Sequence, residues 1–123
     1  LNENIILAGY VSDSKIASYY KNASLYVFPS VDEGFGIPII EAMNYSLPVI
    51  CSDIPVFREI GSDAVQYFDV GNEYSLAKSI NTLLDSKNIR LKLIKNGRNR
   101  IKDFSRKKFL EIFENIILSS NEK

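Results

Sequence analysis

Glu33-Gly34-Phe35-Gly36-Ile37-Pro38-Ile39-Ile40-Glu41 is the stretch from which the fold of this chain can be read. Two carboxylates stand eight residues apart, with two glycines and a proline between them. The apolar run just before it, Leu25-Tyr26-Val27-Phe28, has the composition of a buried strand. The run from Ile39 to Met43 begins a helix, and Pro38 fits the first helical position, where a missing N–H costs nothing. The pattern is strand, glycine-bearing loop and helix N-terminus, with one acid in the loop and one in the helix. In an open α/β sheet that is how a phosphate or nucleotide site is built.

The segments on either side extend the pattern. Residues 5–8 are apolar and end at Gly9, which predicts a buried strand. Ser12 is an expected N-cap with Asp13 in the first turn, and Ile16, Ala17, Tyr20 and Ala23 follow at helical spacing. Residues 48–51 predict a third strand, 55–60 a short helix closed by Gly61, and 64–68 a fourth strand. Gly71-Asn72 opens a helix with Leu76, Ala77, Ile80, Leu83 and Leu84 on one face. Residues 89–104 read as a helix with Gly97 as a weak point, and Ser105 as the N-cap of a last helix striped by Phe109, Ile112, Phe113, Ile116 and Ile117. One domain over 1–118 and a polar tail over 119–123 are expected. Alternating strands and helices predict an α/β fold, a Rossmann-like parallel sheet with flanking helices, ending in two or three helices. Ligands of such sheets bind beyond the carboxyl ends of the strands, so 9–11, 29–36 and 52–53 should line one edge.

Composition excludes several chemistries. There is no histidine and a single cysteine, Cys51, so Ser-His-Asp and Cys-His catalysis, an intrachain disulfide and an ordinary zinc site are all ruled out. Cys51 reads as a small buried thiol, which fits a reducing compartment and a cytoplasmic location. Fifteen acids balance fifteen bases, but nine of the bases and only one acid, Asp103, fall within residues 90–108, a local charge of +8. That segment reads as a solvated helix face, or as a surface for peripheral contact with anionic lipid on the inner membrane face. It lacks the interleaved aromatics of a nucleic-acid platform. No run approaches a membrane span, and a chain that starts at Leu1 is expected to be a piece of a longer protein.

Phe28-Pro29-Ser30, Glu33 to Pro38 and Glu41-Ala42-Met43, followed by Pro48-Val49-Ile50, Ser52 to Pro55, Arg58-Glu59-Ile60 and Gly71, resemble in order the E-x7-E signature and later blocks of retaining GT-B glycosyltransferases. The similarity is to the glycogen-synthase-like and mannosyltransferase group known as family 4, or glycosyl transferases group 1, and covers roughly residues 5–117. It implies most, but not all, of the C-terminal, nucleotide-sugar-binding half of a GT-B enzyme that moves a sugar from a UDP-, GDP- or ADP-linked donor with retention. It also implies a catalytic role for Glu33 facing the donor sugar, and donor contacts through the backbone of Phe35, Gly36 and Ile37, with Gly34 and Gly36 allowing close approach. Glu41 would accept the two ribose hydroxyls, and backbone near Val11 would meet the base. No metal and no cofactor are implied. The family's diphosphate-gripping arginine and lysine, and its acceptor-binding N-terminal domain, would precede this segment; Lys15 and Lys21 are not their counterparts. Ser46 stands where the family has glycine. The blocks at 52–59 resemble enzymes of bacterial surface polysaccharide assembly.

Plainer readings stand beside these. Glu33 is then a solvated loop acid, Glu41 an exposed helix residue, and Phe35 part of the core. Arg58 and Glu59 pair or cap a helix, Asp53 caps the helix at Pro55, Tyr19 and Tyr20 pack, and Met43 is core. A glycosidase pair of carboxylates would face across a cleft rather than along a helix start. Two other classes remain: a half-enzyme needing a separate N-terminal-domain partner, and a non-catalytic Rossmann-like interaction module.

Overall fold

A computed structural model describes residues 3–106 together with 110 and 118. Its elements are α1 (Asp13–Asn22), β1 (Tyr26–Phe28), α2 (Ile37–Asn44), β2 (Val49–Ser52), α3 (Pro55–Gly61), β3 (Gln66–Phe68), α4 (Glu73–Asp85) and α5 (Lys87–Arg100), the last running into a 3-10 turn at Ile101–Phe104. The three strands form one parallel sheet in the order β1-β2-β3, with Tyr26 opposite Val49 and Ile50 opposite Gln66. This is the expected α/β Rossmann-like arrangement. The last predicted helix lies outside the described residues.

β2 is the centre of the molecule, and all four of its residues are buried. Because successive side chains point to opposite faces, Val49 and Cys51 enter one apolar cluster with Ile39, Ala42, Met43, Phe57 and Ile60, while Ile50 enters another with Phe68, Leu83 and Leu93. Helices therefore cover both faces. On the first face an aromatic row runs beneath α2. Tyr45 stacks on Tyr20 at 5.1 Å, Tyr20 meets Tyr26 at 5.5 Å, Tyr26 meets Phe28 at 6.1 Å, and Phe28 meets Phe57 at 5.2 Å.

Residues 5–8 do not form the predicted strand. Residues 3–10 are exposed, Ile6 and Leu7 by about four-fifths. A parallel strand needs a hydrogen-bonded neighbour and cover on both faces, and no described strand pairs with this run. Val11 accordingly lies in the extended lead into α1, not at a strand end.

Several smaller expectations also change. Ser12 occupies the N-cap of α1, yet its Oγ lies 3.3 Å from Ser14 Oγ and makes no cap bond. Asn72 does cap α4, its Oδ1 accepting from Ser75 N at 3.0 Å. Asp53 does not cap α3, whose N-cap is Ile54. Instead it takes a bidentate ion pair from Arg58, at 2.7 and 2.6 Å, and Arg58 lies over the Tyr67 ring. Gly97 is a point of close contact rather than a weak point: an added Cβ would stand 3.3 Å from Met43 Cγ, so the glycine lets α5 approach α2. Ser46 has φ +57°, the left-handed conformation that explains an expected glycine there, and its Oγ accepts from Arg98 Nε at 3.1 Å.

Candidate functional site

The signature loop leaves β1 at Phe28 and enters α2 through Gly36, whose backbone is left-handed at φ +100°. A Cβ at Gly36 would stand 3.1 Å from the Phe57 ring, so the turn fits glycine on two counts, conformation and space. Pro38 is the second helical residue, still among the positions with no intrahelical donor duty. The backbone amides of Phe35, Gly36 and Ile37 donate to no acceptor among the described residues. They stand at the positive end of α2. Phe35 is half exposed and packs edge-on against Phe104 at 5.9 Å, so it is not core. Gly34 is exposed, with nothing within 4 Å of its Cβ position.

Both carboxylates are exposed, and each is held by one hydroxyl. Ser30 Oγ donates to Glu33 Oε1 at 2.9 Å and lies 3.2 Å from the Asp32 carbonyl oxygen. Tyr20 Oη donates to Glu41 Oε2 at 3.1 Å. Burial pushes the Tyr26 phenol above its ordinary pKa, the Tyr20 hydroxyl acts against that, and the charges of Glu41 and Glu33 add to it. Glu41 also lines a cleft of about 340 Å³ between α1 and α2, with Asp13, Ile16, Ala17, Tyr20, Asn44 and Tyr45. That volume is in the range of small-molecule sites. Val11 stands two residues before Asp13, where α1 begins.

The loop follows β1 and leads into α2 as expected, with Glu33 in the loop and Glu41 in the helix. The hydroxyls that hold the acids were not foreseen. Ser30 reaches Glu33 within its own loop, three positions away, and Tyr20 reaches Glu41 across 21 positions of chain.

Residues 1–100 match the family described as glycosyl transferases group 1. The chain belongs to that family. It is 40% identical over 83 residues to the O-antigen chain mannosyltransferase RfbU of Salmonella typhimurium, covering 68% of this chain and 24% of RfbU. It is 30% identical over 104 residues to the capsular polysaccharide biosynthesis glycosyltransferase CapM of Staphylococcus aureus, covering 83% of this chain and 27% of CapM. It therefore spans about a quarter of the length of each. Among solved structures it resembles sucrose-phosphate synthase from Thermosynechococcus elongatus, with a TM-score of 0.76 and 25% identity over 91% of this chain and 30% of that one. It also resembles the C-terminal domain of the group 1 family protein LpcC from Francisella tularensis, with a TM-score of 0.66 and 27% identity over 76% of this chain and 50% of that one. GT-B architecture is the expected one for this family.

Three arginines of the basic segment bond to other parts of the fold. Arg90 donates to the Leu83 and Leu84 carbonyls at the C-terminus of α4, at 2.6 and 2.7 Å. Arg98 holds Ser46. Arg100 donates to the carbonyls of Ile60 and Glu59, pairs with Asp103 at 2.7 Å and lies over the Phe104 ring. These three arginines stitch helices together, which favours a structural reading of them over a lipid-facing one. Among the described residues no helix is long and apolar enough to cross a membrane, and no group of three His, Cys, Asp or Glu could hold a metal.

Proposed function

We propose that this chain is the donor-binding portion of a retaining glycosyltransferase that moves a sugar from a nucleotide-sugar to a glycan or lipid-linked acceptor in bacterial surface polysaccharide synthesis. Family membership supports sugar transfer, and the similarity to the O-antigen enzyme RfbU and the capsular polysaccharide enzyme CapM supports the polysaccharide setting. The observation that carries the donor assignment is the placement of Glu33 before and Glu41 after a helix start whose first amides meet no acceptor among the described residues.

The chemistry follows from charge. As the glycosidic bond breaks, negative charge grows on the departing diphosphate, and a fixed positive potential lowers the barrier. The start of α2 supplies roughly half an elementary charge. Phe35, Gly36 and Ile37 offer their N–H groups to the phosphate and donor sugar, with Gly34 and Gly36 leaving room. Glu33, tethered by Ser30, faces the donor sugar, and Glu41 accepts the vicinal hydroxyls of the ribose with its two oxygens. Backbone near Val11 is assigned to the base in this proposal, on the family resemblance. The acceptor domain and the cationic pair for the diphosphate belong to the remainder of the protein in this proposal.

Ligand-observed NMR of the intact protein with UDP, GDP and ADP tests the assignment. One nucleotide should bind, and Glu41→Ala should weaken it by about tenfold or more, the worth of hydrogen bonds to a charged acceptor. Unchanged affinity in Glu41→Ala would remove the ribose role.

A further inference from the structure

Tyr20 is the one group that engages the Glu41 carboxylate among the described residues, and it comes from a different helix. Its hydroxyl donates to Oε2 at 3.1 Å, while Oε1 accepts no bond from the described residues. The donor is itself packed between aromatic neighbours. The Tyr20 ring lies flat on Tyr45, with centroids 5.1 Å apart and planes 4° from parallel, and its other side meets Tyr26 at 5.5 Å. Burial, the neighbouring Tyr26 and the Glu41 carboxylate all raise the pKa of this phenol, so it keeps its proton and remains a donor at any working pH. Glutamate is a flexible side chain on an exposed helix face, and ordering it when a ligand arrives would weaken binding.

We propose that Tyr20 is a positioning residue for Glu41: from α1 it fixes one carboxylate oxygen in advance and turns the other toward the cleft between α1 and α2. This inference rests on the ribose role proposed for Glu41. It adds a residue that no spacing in the signature could supply, and it makes α1, through Tyr20, part of the nucleotide site. The stacking partner Tyr45, one residue beyond α2, belongs to the same device, since it sets the plane of the donor ring.

The test uses the intact protein and two forms of each nucleotide. Affinities for UDP, GDP and ADP are compared with those for their 2′,3′-dideoxy counterparts, in wild type and in Tyr20→Phe. The phenyl ring keeps the stack on Tyr45 and the fold, and only the hydroxyl is lost. Wild type should prefer the ribonucleotide, and Tyr20→Phe should reduce that preference by about fivefold while leaving dideoxynucleotide affinity unchanged. Adding Tyr20→Phe to Glu41→Ala should then have no further effect. If the variant keeps the full preference, or weakens both forms equally, Tyr20 acts on the fold alone and the inference is overturned, while the ribose role of Glu41 stands. If wild type shows no preference, or binds none of the three nucleotides, the ribose role fails and takes this inference with it.

Discussion

Gly36 is where backbone, packing and site meet. At φ +100° an L side chain is strained, and the space a Cβ would need lies 3.1 Å from a fully buried phenylalanine, Phe57. The first effect costs about 1–2 kcal/mol and overpacking adds about 1–3 kcal/mol. Gly36→Ala should therefore destabilise the protein by about 3 kcal/mol, read as a drop in the denaturant midpoint at unchanged m-value. Displacement of the Phe35–Ile37 amides should weaken nucleotide binding as well. An unchanged midpoint would mean that Phe57 moves aside freely. At this scale the signature residues were legible, because glycine, proline and two acids in a fixed order have few other uses. What holds the acids was less so: the Tyr20 hydroxyl reaches Glu41 only through the tertiary fold, and the Asp53–Arg58 pair replaced a helix cap that local chemistry favoured equally well.

Among the elements, α2 and α5 are held by a contact that only a residue without a side chain permits. Gly97 is buried against Met43, and an added Cβ would meet Met43 Cγ at 3.3 Å. Methionine is adaptable, so alanine should be tolerated there, the gain in helix propensity offsetting slight crowding. A branched side chain cannot be accommodated that way. Gly97→Val should destabilise by about 2 kcal/mol, measured by thermal unfolding beside Gly97→Ala as control. Equal melting temperatures for the two variants would show that the contact is loose. Strands β1 to β3 and helices α1 to α4 were readable because apolar runs bounded by proline, glycine and capping residues carry their own period. Residues 5–8 carry the same apolar signal and form no strand. Apolarity registers the wish to be buried, whereas a strand needs a partner, and no sequence period encodes the partner's presence.

For the whole molecule, the buried sheet sets a limit at high pH. Burial, with Asp53 adding to it, pushes the Cys51 thiol from its ordinary 9.0 up to about 12. Burial, then the neighbouring Cys51, pushes the Tyr67 phenol from 10.0 up to about 12. Both are acids favoured in their neutral form by the fold. Their contribution is complete below the unfolded values and disappears as pH rises through about 12. The melting temperature should stay level up to about pH 9 and fall from there, and in Cys51→Ala the fall should begin nearer pH 10. An onset that does not move in Cys51→Ala would assign the alkaline loss to other groups. The sheet has another consequence, one of time. Its strands stand side by side in chain order, so pairing β1 to β2 closes only the chain from Tyr26 to Val49, and pairing β2 to β3 the shorter one from Ile50 to Gln66. Loop-closure entropy is modest for both steps and neither waits for the other. A parallel sheet, ordinarily slow to assemble, can here grow outward from β2 by local steps.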